Sequence, residues 1–183
     1  MKWENDYLVL SHLKETDEVC DFVCKKGRGL EHYLKYSAMT EELSGNARTY
    51  IVRDKLSGDI AAYFTLKTGL VTVRRKLSSR FDNYTGLELA NLAVNDFYRE
   101  KDDAIPKLGS YLFYEFIIPI VREVHEYVGA EYLYIFALPY NKLMTHYETM
   151  GFSRLSDKKQ ERFVCKHVKP NYDKGCIFMF QKI

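Results

Sequence analysis

The chain has few of the residues that break or cross-link a fold. Its 183 residues include four prolines, four cysteines and one tryptophan. No repeat, low-complexity tract or Gly/Ser-rich linker divides the sequence. Because a linker of that kind usually marks a domain boundary, its absence predicts one domain that spans residues 1–183.

Long apolar runs are also missing. The most apolar window, YLFYEFIIPIVREV, is interrupted by Glu115 and Arg122 and is too short to span a bilayer. The N-terminus is acidic within its first six residues and has neither the pattern of a signal peptide nor that of a transit peptide. We therefore expect a cytoplasmic protein that does not enter the membrane and whose cysteines are reduced.

The charge balance is nearly even, whereas aromatic residues are frequent. A formal net charge of +2 is too small to indicate a nucleic-acid partner on electrostatics alone. The chain has 15 tyrosines and 11 phenylalanines, which favour a sheet-rich core and an aromatic-lined binding site.

A zinc site is the one metal centre that the sequence suggests. It would use Cys20, Cys24, Cys165 and His167. However, cysteines four residues apart on an amphipathic helix are typical of small core residues, and the paired spacing of structural zinc sites is absent. We predict no metal.

The hydrophobic pattern predicts a mixed α/β fold. Strands are expected at 7–13, 49–54, 59–69, 86–94, 131–139 and 175–183. Helices are expected at 14–27 with Thr16 as its cap, at 30–43, at 112–129 with a kink at Pro119 and an end at Gly129, and at 142–150 with Asn141 as its cap. Hairpins predict antiparallel pairing in the first half, and strand–helix–strand units predict parallel strands in the second.

Three segments carry a resemblance to a known family: LELANLAV, KLGSYLFYEF and YIFALPYNKLMTHYETMGF. With the predicted order of elements, they resemble the GNAT superfamily of acyl-CoA N-acetyltransferases. The match runs from TYIVRD to the C-terminus. The resemblance implies a GNAT-like mixed central sheet flanked by helices, transfer of an acetyl group to an amine, and acetyl-CoA as cosubstrate.

The resemblance also implies which residues would bind coenzyme A. Leu92, Ala93 and Val94 would expose strand backbone groups to the pantetheine arm. Residues at the start of the long helix would hold the pyrophosphate, because unpaired N–H groups and the helix dipole attract an anion. These are Lys107, Leu108, Gly109 and Ser110, of which Ser110 would cap the helix.

The pyrophosphate loop departs from the family pattern. Lys107 stands where a glycine or another small residue is usual, and Ala104 stands where Arg or Gln is usual. The segment from Val94 to Gly109 is also longer than is typical and contains the acidic stretch EKDDA. This keeps open a domain that retains the fold for binding or regulation and does not catalyse.

The catalytic acid implied by the resemblance is Tyr147. Asn141, Tyr147, Gly151 and Phe152 are spaced as the family spaces them on the short helix that follows a strand. A phenol there can protonate the departing thiolate of coenzyme A. The alternative is a core tyrosine on an amphipathic helix.

Glu88 is the candidate general base. It lies six residues before Val94, where some members of the family place the glutamate that deprotonates the amine. A glutamate in an apolar strand needs a partner, water or a raised pKa, and each of these suits a base that acts through water. The alternative is a solvated residue at the end of a strand.

The first half is similar to GNAT toxins of bacterial toxin–antitoxin modules, which acetylate aminoacyl-tRNA. The matching positions can mostly be explained by packing; they are Phe22, Leu30, Leu34, Ala38, Arg48, Thr49, Tyr50, Tyr63, Thr65 and Leu66. A path for tRNA phosphates would use basic residues of two segments: Arg74, Arg75, Lys76, Arg80, Lys158, Lys159, Arg162, Lys166 and Lys169. The acceptor therefore stays open between a small amine and tRNA. The resemblance also suggests a homodimer.

Overall fold

A computed structural model describes residues 3–75, 80–168 and 175–183, with the side chains of 166–168 excepted. The strands are β1 (Leu8–His12), β2 (Arg48–Asp54), β3 (Ile60–Arg74), β4 (Phe81–Val94), β5 (Tyr132–Ala137), β6 (Ser153–Arg154) and β7 (Ile177–Lys182). The helices are α1 (Arg28–Tyr36), α2 (Ala38–Leu43), α3 (Asp96–Arg99), α4 (Leu108–Leu112), a π-helical segment (Phe113–Ile117), α5 (Ile118–Val128), α6 (Asn141–Thr149) and α7 (Lys158–Val168). None of the helices within these ranges is long and apolar enough to cross a membrane.

The strands form one mixed sheet in the order β1-β2-β3-β4-β5-β7-β6. β2 pairs antiparallel with β1 and with β3. β4 pairs parallel with β5, and β7 pairs antiparallel with both β5 and β6. The predicted fold class is confirmed, with the parallel pairing at β4 and β5.

The chain divides into two compact units. Unit 1 comprises Met1–Lys67 and Leu89–Glu123, and unit 2 comprises Thr68–Glu88 and Val124–Ile183. β3 and β4 each continue from one unit into the other.

Unit 1 has an aromatic and aliphatic core beneath α1 and α2. Phe22, Leu34, Ile51 and Tyr63 are at most 2% exposed, and Ala93 of β4 belongs to the same cluster. The rings of Phe22 and Tyr63 meet edge to face with their centroids 5.3 Å apart, a favourable geometry for two quadrupoles. This core fixes the end of β4 against the first third of the chain.

Unit 2 is built around Tyr134 of β5. Its ring packs with Val71, Val164 and Phe178, and it is 1% exposed. A Cβ atom on Gly86 would lie 3.0 Å from this ring and 2.9 Å from the carbonyl oxygen of Tyr132. Gly86 is therefore required by the packing of β4 on β5.

The predicted helix at 14–27 is wrong, since turns and irregular backbone occupy this segment. Its apolar positions still pack, because Phe22 is 1% exposed and Val19 lies against the unit 1 core. The backbone groups find distant partners in place of helical ones. The N–H of Val23 donates to the Asn95 side chain, and its carbonyl accepts from the N–H of Asp96.

The other helices differ from prediction at their ends and joints. The single helix expected at 30–43 is divided at Ser37 into α1 and α2. The long helix starts at Leu108 and has a π-helical segment just before Pro119, which lacks the N–H of a regular helix residue. Gly129 ends it with φ of 64°, as predicted. β6 and α7 were not predicted.

Candidate active site

One extra residue lies in β4 between Arg80 and Asn95, in the strand that ends with the candidate cofactor segment Leu92–Val94. The N–H of Arg75 donates to the carbonyl of Arg80 at 3.0 Å, and that of Asn95 donates to the carbonyl of Ala61 at 2.9 Å. The chain takes 14 steps from Ala61 to Arg75 but 15 steps from Arg80 to Asn95. β4 therefore contains a bulge relative to β3, which redirects backbone groups out of the ladder.

The burial of the three strand residues alternates. Ala93 is 4% exposed and packs in the unit 1 core, whereas Leu92 and Val94 on either side of it are half-buried. This is the pattern of a strand with one face covered and the other open.

α4 begins at a strained residue. Lys107 precedes the helix with φ of 52° and ψ of 40°, the one non-glycine residue with positive φ in the described chain. This conformation favours glycine, the residue type usual at this position in the family that the sequence resembles. Lys107 therefore adopts a backbone conformation that a glycine would adopt without strain.

The first N–H groups of α4 are available to a ligand. The N–H groups of Ser110 and Tyr111 both donate to the carbonyl of Lys107, at 2.9 and 3.2 Å. Those of Leu108 and Gly109 have no acceptor among the described residues. The expectation that Ser110 caps the helix is wrong, because Ser110 lies inside the first turn and Lys107 occupies the cap position.

Gly109 leaves open space above this helix start. A Cβ atom built on it would meet no atom within 4 Å in the described structure. The packing of the chain does not require a glycine here, in contrast to Gly86. Two free N–H groups beside an open glycine can receive a bulky anion.

Asn95, which follows the candidate segment Leu92–Val94, is a positioning residue that the sequence analysis missed. Its side-chain oxygen accepts from the N–H groups of Phe97 at 3.2 Å and Val23 at 3.3 Å, and its side-chain nitrogen donates to the carbonyl of Ile60 at 2.9 Å. Asn95 thereby caps α3 and fixes the end of β4. The signal in the sequence is an asparagine directly after a strand and before a short helix.

Tyr147 lies on α6 in unit 2. Its ring meets Phe152 edge to face with centroids 5.7 Å apart, and Met144 and Met150 of the same region are buried. Its hydroxyl makes no hydrogen bond within the described part of the chain. Burial raises the pKa of Tyr147 to about 12. The phenol therefore keeps its proton at neutral pH and has a free hydroxyl.

Asn141 is the first residue of α6 and is exposed. The prediction that it caps this helix is wrong, since Tyr140 occupies the cap position and no side chain bonds to the first turn. The reason is that the helix begins one residue earlier than its pattern suggests.

Glu88 lies on β4 within unit 2 and is 9% exposed. It pairs across the sheet with Tyr134 of β5. Burial, and secondly the charge of Glu88, raise the pKa of Tyr134. This burial excludes the alternative hypothesis that Glu88 is a solvated residue at the end of a strand.

The predicted basic path is partly consumed by internal contacts. Arg75 forms a two-pronged pair with Asp82. The contact of Arg74 with the side chain of Gln160 is made by its backbone N–H and not by its guanidinium. Lys158, Lys159 and Arg162 are exposed on α7. Lys76, Lys169 and the side chain of Lys166 lie outside the described residues.

The zinc alternative can be tested only in part. The described residues contain no group of three or more His, Cys, Asp or Glu that could hold a metal ion. The side chain of His167 lies outside them.

Comparison with known proteins gives structural matches only. No protein-family model matches the chain. No curated protein matches its sequence.

Solved structures match over nearly the whole chain. One is a Tyr→Phe mutant of the toxin AtaT bound to the C-terminus of the antitoxin AtaR and acetyl-CoA, with TM-score 0.69, 18% identity, and coverage of 97% of this chain and 94% of that one. A second is AtaT complexed with acetyl-methionyl-tRNAfMet, with TM-score 0.70, 17% identity, and coverage of 96% and 94%. A third is a Tyr→Phe mutant of KacT, with TM-score 0.70, 16% identity, and coverage of 97% and 95%. These likenesses show the GNAT-like fold that the sequence predicts.

Proposed function

We propose that the chain is an N-acetyltransferase, which transfers the acetyl group of acetyl-CoA to a primary amine by direct attack in a ternary complex. The observation that carries the proposal is the start of α4, where two unpaired N–H groups stand beside a glycine with open space above it. AtaT, whose structure this chain resembles, is bound to acetyl-CoA in one solved structure, and this supports acetyl-CoA as the ligand here.

The N–H groups of Leu108 and Gly109 would hold the pyrophosphate. They lie at the positive end of a helical run that continues through the π-helical segment to Val128, so the backbone dipoles add to their attraction for an anion. Lys107 is exposed at the same place and adds a positive charge. Ser110 and its neighbours keep this turn in register through the carbonyl of Lys107.

The segment Leu92–Val94 would hold the pantetheine arm and the thioester. Its half-buried face is open at Leu92 and Val94. The strand that contains it has a bulge between Arg80 and Asn95, and such a bulge redirects backbone groups out of the ladder. A fixed backbone N–H would polarise the thioester carbonyl as negative charge develops on its oxygen. The burial of Ala93 and the contacts of Asn95 keep the strand in place.

Tyr147 would act as general acid and Glu88 as general base. The amine nitrogen forms a bond to the carbonyl carbon while the bond from that carbon to sulfur breaks. The departing thiolate takes the proton of the Tyr147 hydroxyl, and Glu88, through water, takes a proton of the amine. Asn141, exposed at the start of α6, would contact the cosubstrate near Tyr147.

The second candidate is a toxin that acetylates the amino group of aminoacyl-tRNA. The observation that favours it is the match over 96% of the chain to AtaT complexed with acetyl-methionyl-tRNAfMet. In that case the chain would also have an antitoxin partner, as AtaT has in AtaR. The chemistry at Tyr147 and Glu88 would be the same.

The test is release of free thiol from acetyl-CoA in the presence of a panel of acceptors: a polyamine, a peptide with a free N-terminus, and methionyl-tRNA. We expect thiol release with one class, together with an acetylated product by mass spectrometry. Growth arrest on expression that Tyr147→Phe relieves would select the toxin candidate. Binding of acetyl-CoA without transfer to any acceptor would instead support a non-catalytic domain.

A further inference from the structure

α1 of unit 1 forms one wall of a groove that the proposed chemistry does not use. The groove has a volume of about 370 Å³ and is lined by Lys25, Arg28, Glu31, His32, Lys35 and Tyr36. Four of these residues, at positions 28, 32, 35 and 36, recur at the helical spacing that places them on one face. The opposite face of α1 carries Tyr33 and Leu34, which are buried in the core.

The lining is positively charged because its only carboxylate is neutralised within the chain. One oxygen of Glu31 accepts from Lys35 at 2.9 Å, and the other accepts from the N–H of Cys24 at 2.9 Å. These bonds, that of the Cys24 N–H first, hold the pKa of Glu31 below its usual value. Glu31 is thus an ionised group whose two oxygens each already accept a hydrogen bond within the chain, and its charge is paired with that of Lys35.

The cations of the groove are less engaged. Arg28 is exposed and makes no ion pair within the described part of the chain. Lys25 pairs with Glu100 at 3.2 Å, but both side chains are more than 60% exposed, so this pair is weak. A ligand with several negative charges can therefore replace water around Arg28 and Lys25 without breaking a buried pair.

Two exposed rings lie between these charges. Tyr36 is 72% exposed and its ring centroid lies 4.7 Å from that of His32. A large aromatic side chain left in water on a groove wall is available for stacking. Cations that flank exposed rings are the combination with which proteins bind single-stranded RNA, where phosphates meet the cations and bases stack on the rings.

We propose that this groove binds the phosphate backbone and a base of an RNA that carries the acceptor amine. The inference rests on the proposed acetyltransferase function. It specifies how the second candidate, a toxin that acetylates aminoacyl-tRNA, would bind its substrate. It assigns RNA binding to Arg28, Lys25 and Tyr36 of unit 1 and not to the basic residues of β3 and α7 that the sequence suggested. A polyamine acceptor is disfavoured at this groove, because like charges repel.

The test is binding of an unacylated tRNA transcript, labelled with fluorescein at its 5′ end, measured by anisotropy at several salt concentrations. Arg28→Ala should weaken binding severalfold and reduce the slope of log affinity against log salt by about one, since it removes one phosphate contact. Tyr36→Ala should weaken binding about fivefold or more with an unchanged slope, because stacking does not release counterions.

Matched controls use residues of the same type elsewhere on the surface. Lys14→Ala removes an exposed cation of unit 1, and Tyr127→Ala removes a tyrosine that is 80% exposed on α5. Both controls should stay within twofold of wild type. If Arg28→Ala and Tyr36→Ala behave as these controls do, or if the wild type does not bind the transcript, the inference is wrong.

Titration of each variant with acetyl-CoA separates this inference from the proposed function. We expect acetyl-CoA affinity to be unchanged in Arg28→Ala and Tyr36→Ala. Three other outcomes would contradict one proposal or the other. If Arg28→Ala weakens acetyl-CoA binding and not tRNA binding, the groove holds the cosubstrate and the RNA assignment fails. If poly-L-glutamate binds as tightly as tRNA and Tyr36→Ala changes neither of these two affinities, the groove binds an acidic protein and the RNA assignment fails. A wild type that does not bind acetyl-CoA would contradict the proposed function itself.

Discussion

At the scale of single residues, Tyr147 combines a packed ring with a hydroxyl that has no partner in the described chain. Replacing it with Phe keeps the contact with Phe152 and removes only the proton donor. We expect Tyr147→Phe to lower kcat by about 10²–10⁴-fold while acetyl-CoA affinity stays within twofold. Steady-state kinetics and calorimetry check this, with Tyr140→Phe, an exposed neighbour, as the control. A Tyr147→Phe enzyme with wild-type kcat would return Tyr147 to a packing role.

The proton of Tyr147 should be lost only at high pH. Burial raises its pKa to about 12, above the ordinary tyrosine value of 10.0. Because the folded-state pKa is the higher one, its contribution to stability is complete below pH 10 and is lost as pH rises towards 12. The absorbance of tyrosinate, recorded for wild type minus Tyr147→Phe, should therefore appear above about pH 11. A difference signal with its midpoint near pH 10 would contradict this environment.

Single residues also show what the sequence could predict about the site. Gly109, Tyr147 and Glu88 could be named as candidates because the resemblance to the GNAT superfamily rests on local segments in which these residues lie. The helix cap at Lys107 could not be predicted, because a lysine in a sequence does not indicate a left-handed backbone conformation. Asn95 was missed for another reason: its partners Val23 and Ile60 are 72 and 35 residues away.

At the scale of elements, two glycines should respond oppositely to the same change. A Cβ at Gly86 would lie 2.9 Å from the Tyr132 carbonyl oxygen, whereas one at Gly109 would meet nothing within 4 Å. We expect Gly86→Ala to lower the free energy of unfolding by about 1–3 kcal/mol through overpacking. Gly109→Ala should leave it unchanged or raise it by up to about 1 kcal/mol, because alanine favours the helix. Urea denaturation measures both, and equal effects would contradict the packing of β4 on β5.

Elements with local signals could be predicted, and those with distant partners could not. β2 and the predicted parts of β3 (59–69) and β4 (86–94) have apolar patterns, whereas the extensions of these strands to Arg74 and from Phe81 were not predicted. Gly129 and Gly151 end helices through backbone conformations that glycine favours. Segment 14–27 has a helical spacing of apolar residues, yet its backbone bonds go to Asn95 and Asp96 at the end of β4. Local periodicity carries no information about such partners. α7 was missed because its pattern is largely polar.

At the scale of the whole molecule, we propose that the two compact units fold as one domain. β3 and β4 each belong to both units, so neither unit can unfold without disrupting strands of the other. We expect one cooperative transition in urea, in which fluorescence of Trp3 in unit 1 coincides with far-UV circular dichroism of the whole chain. Two separate transitions would show independent domains.

The measurement that tests the account most directly is calorimetric titration of acetyl-CoA into the wild type and into Gly109→Tyr. The space above Gly109 is open in the folded chain, so the tyrosine should leave the fold intact and block the N–H groups of Leu108 and Gly109. The account predicts tight binding by the wild type and at least a tenfold loss in the variant, with unchanged circular dichroism. Absence of binding to the wild type, or equal binding by both proteins, would contradict it.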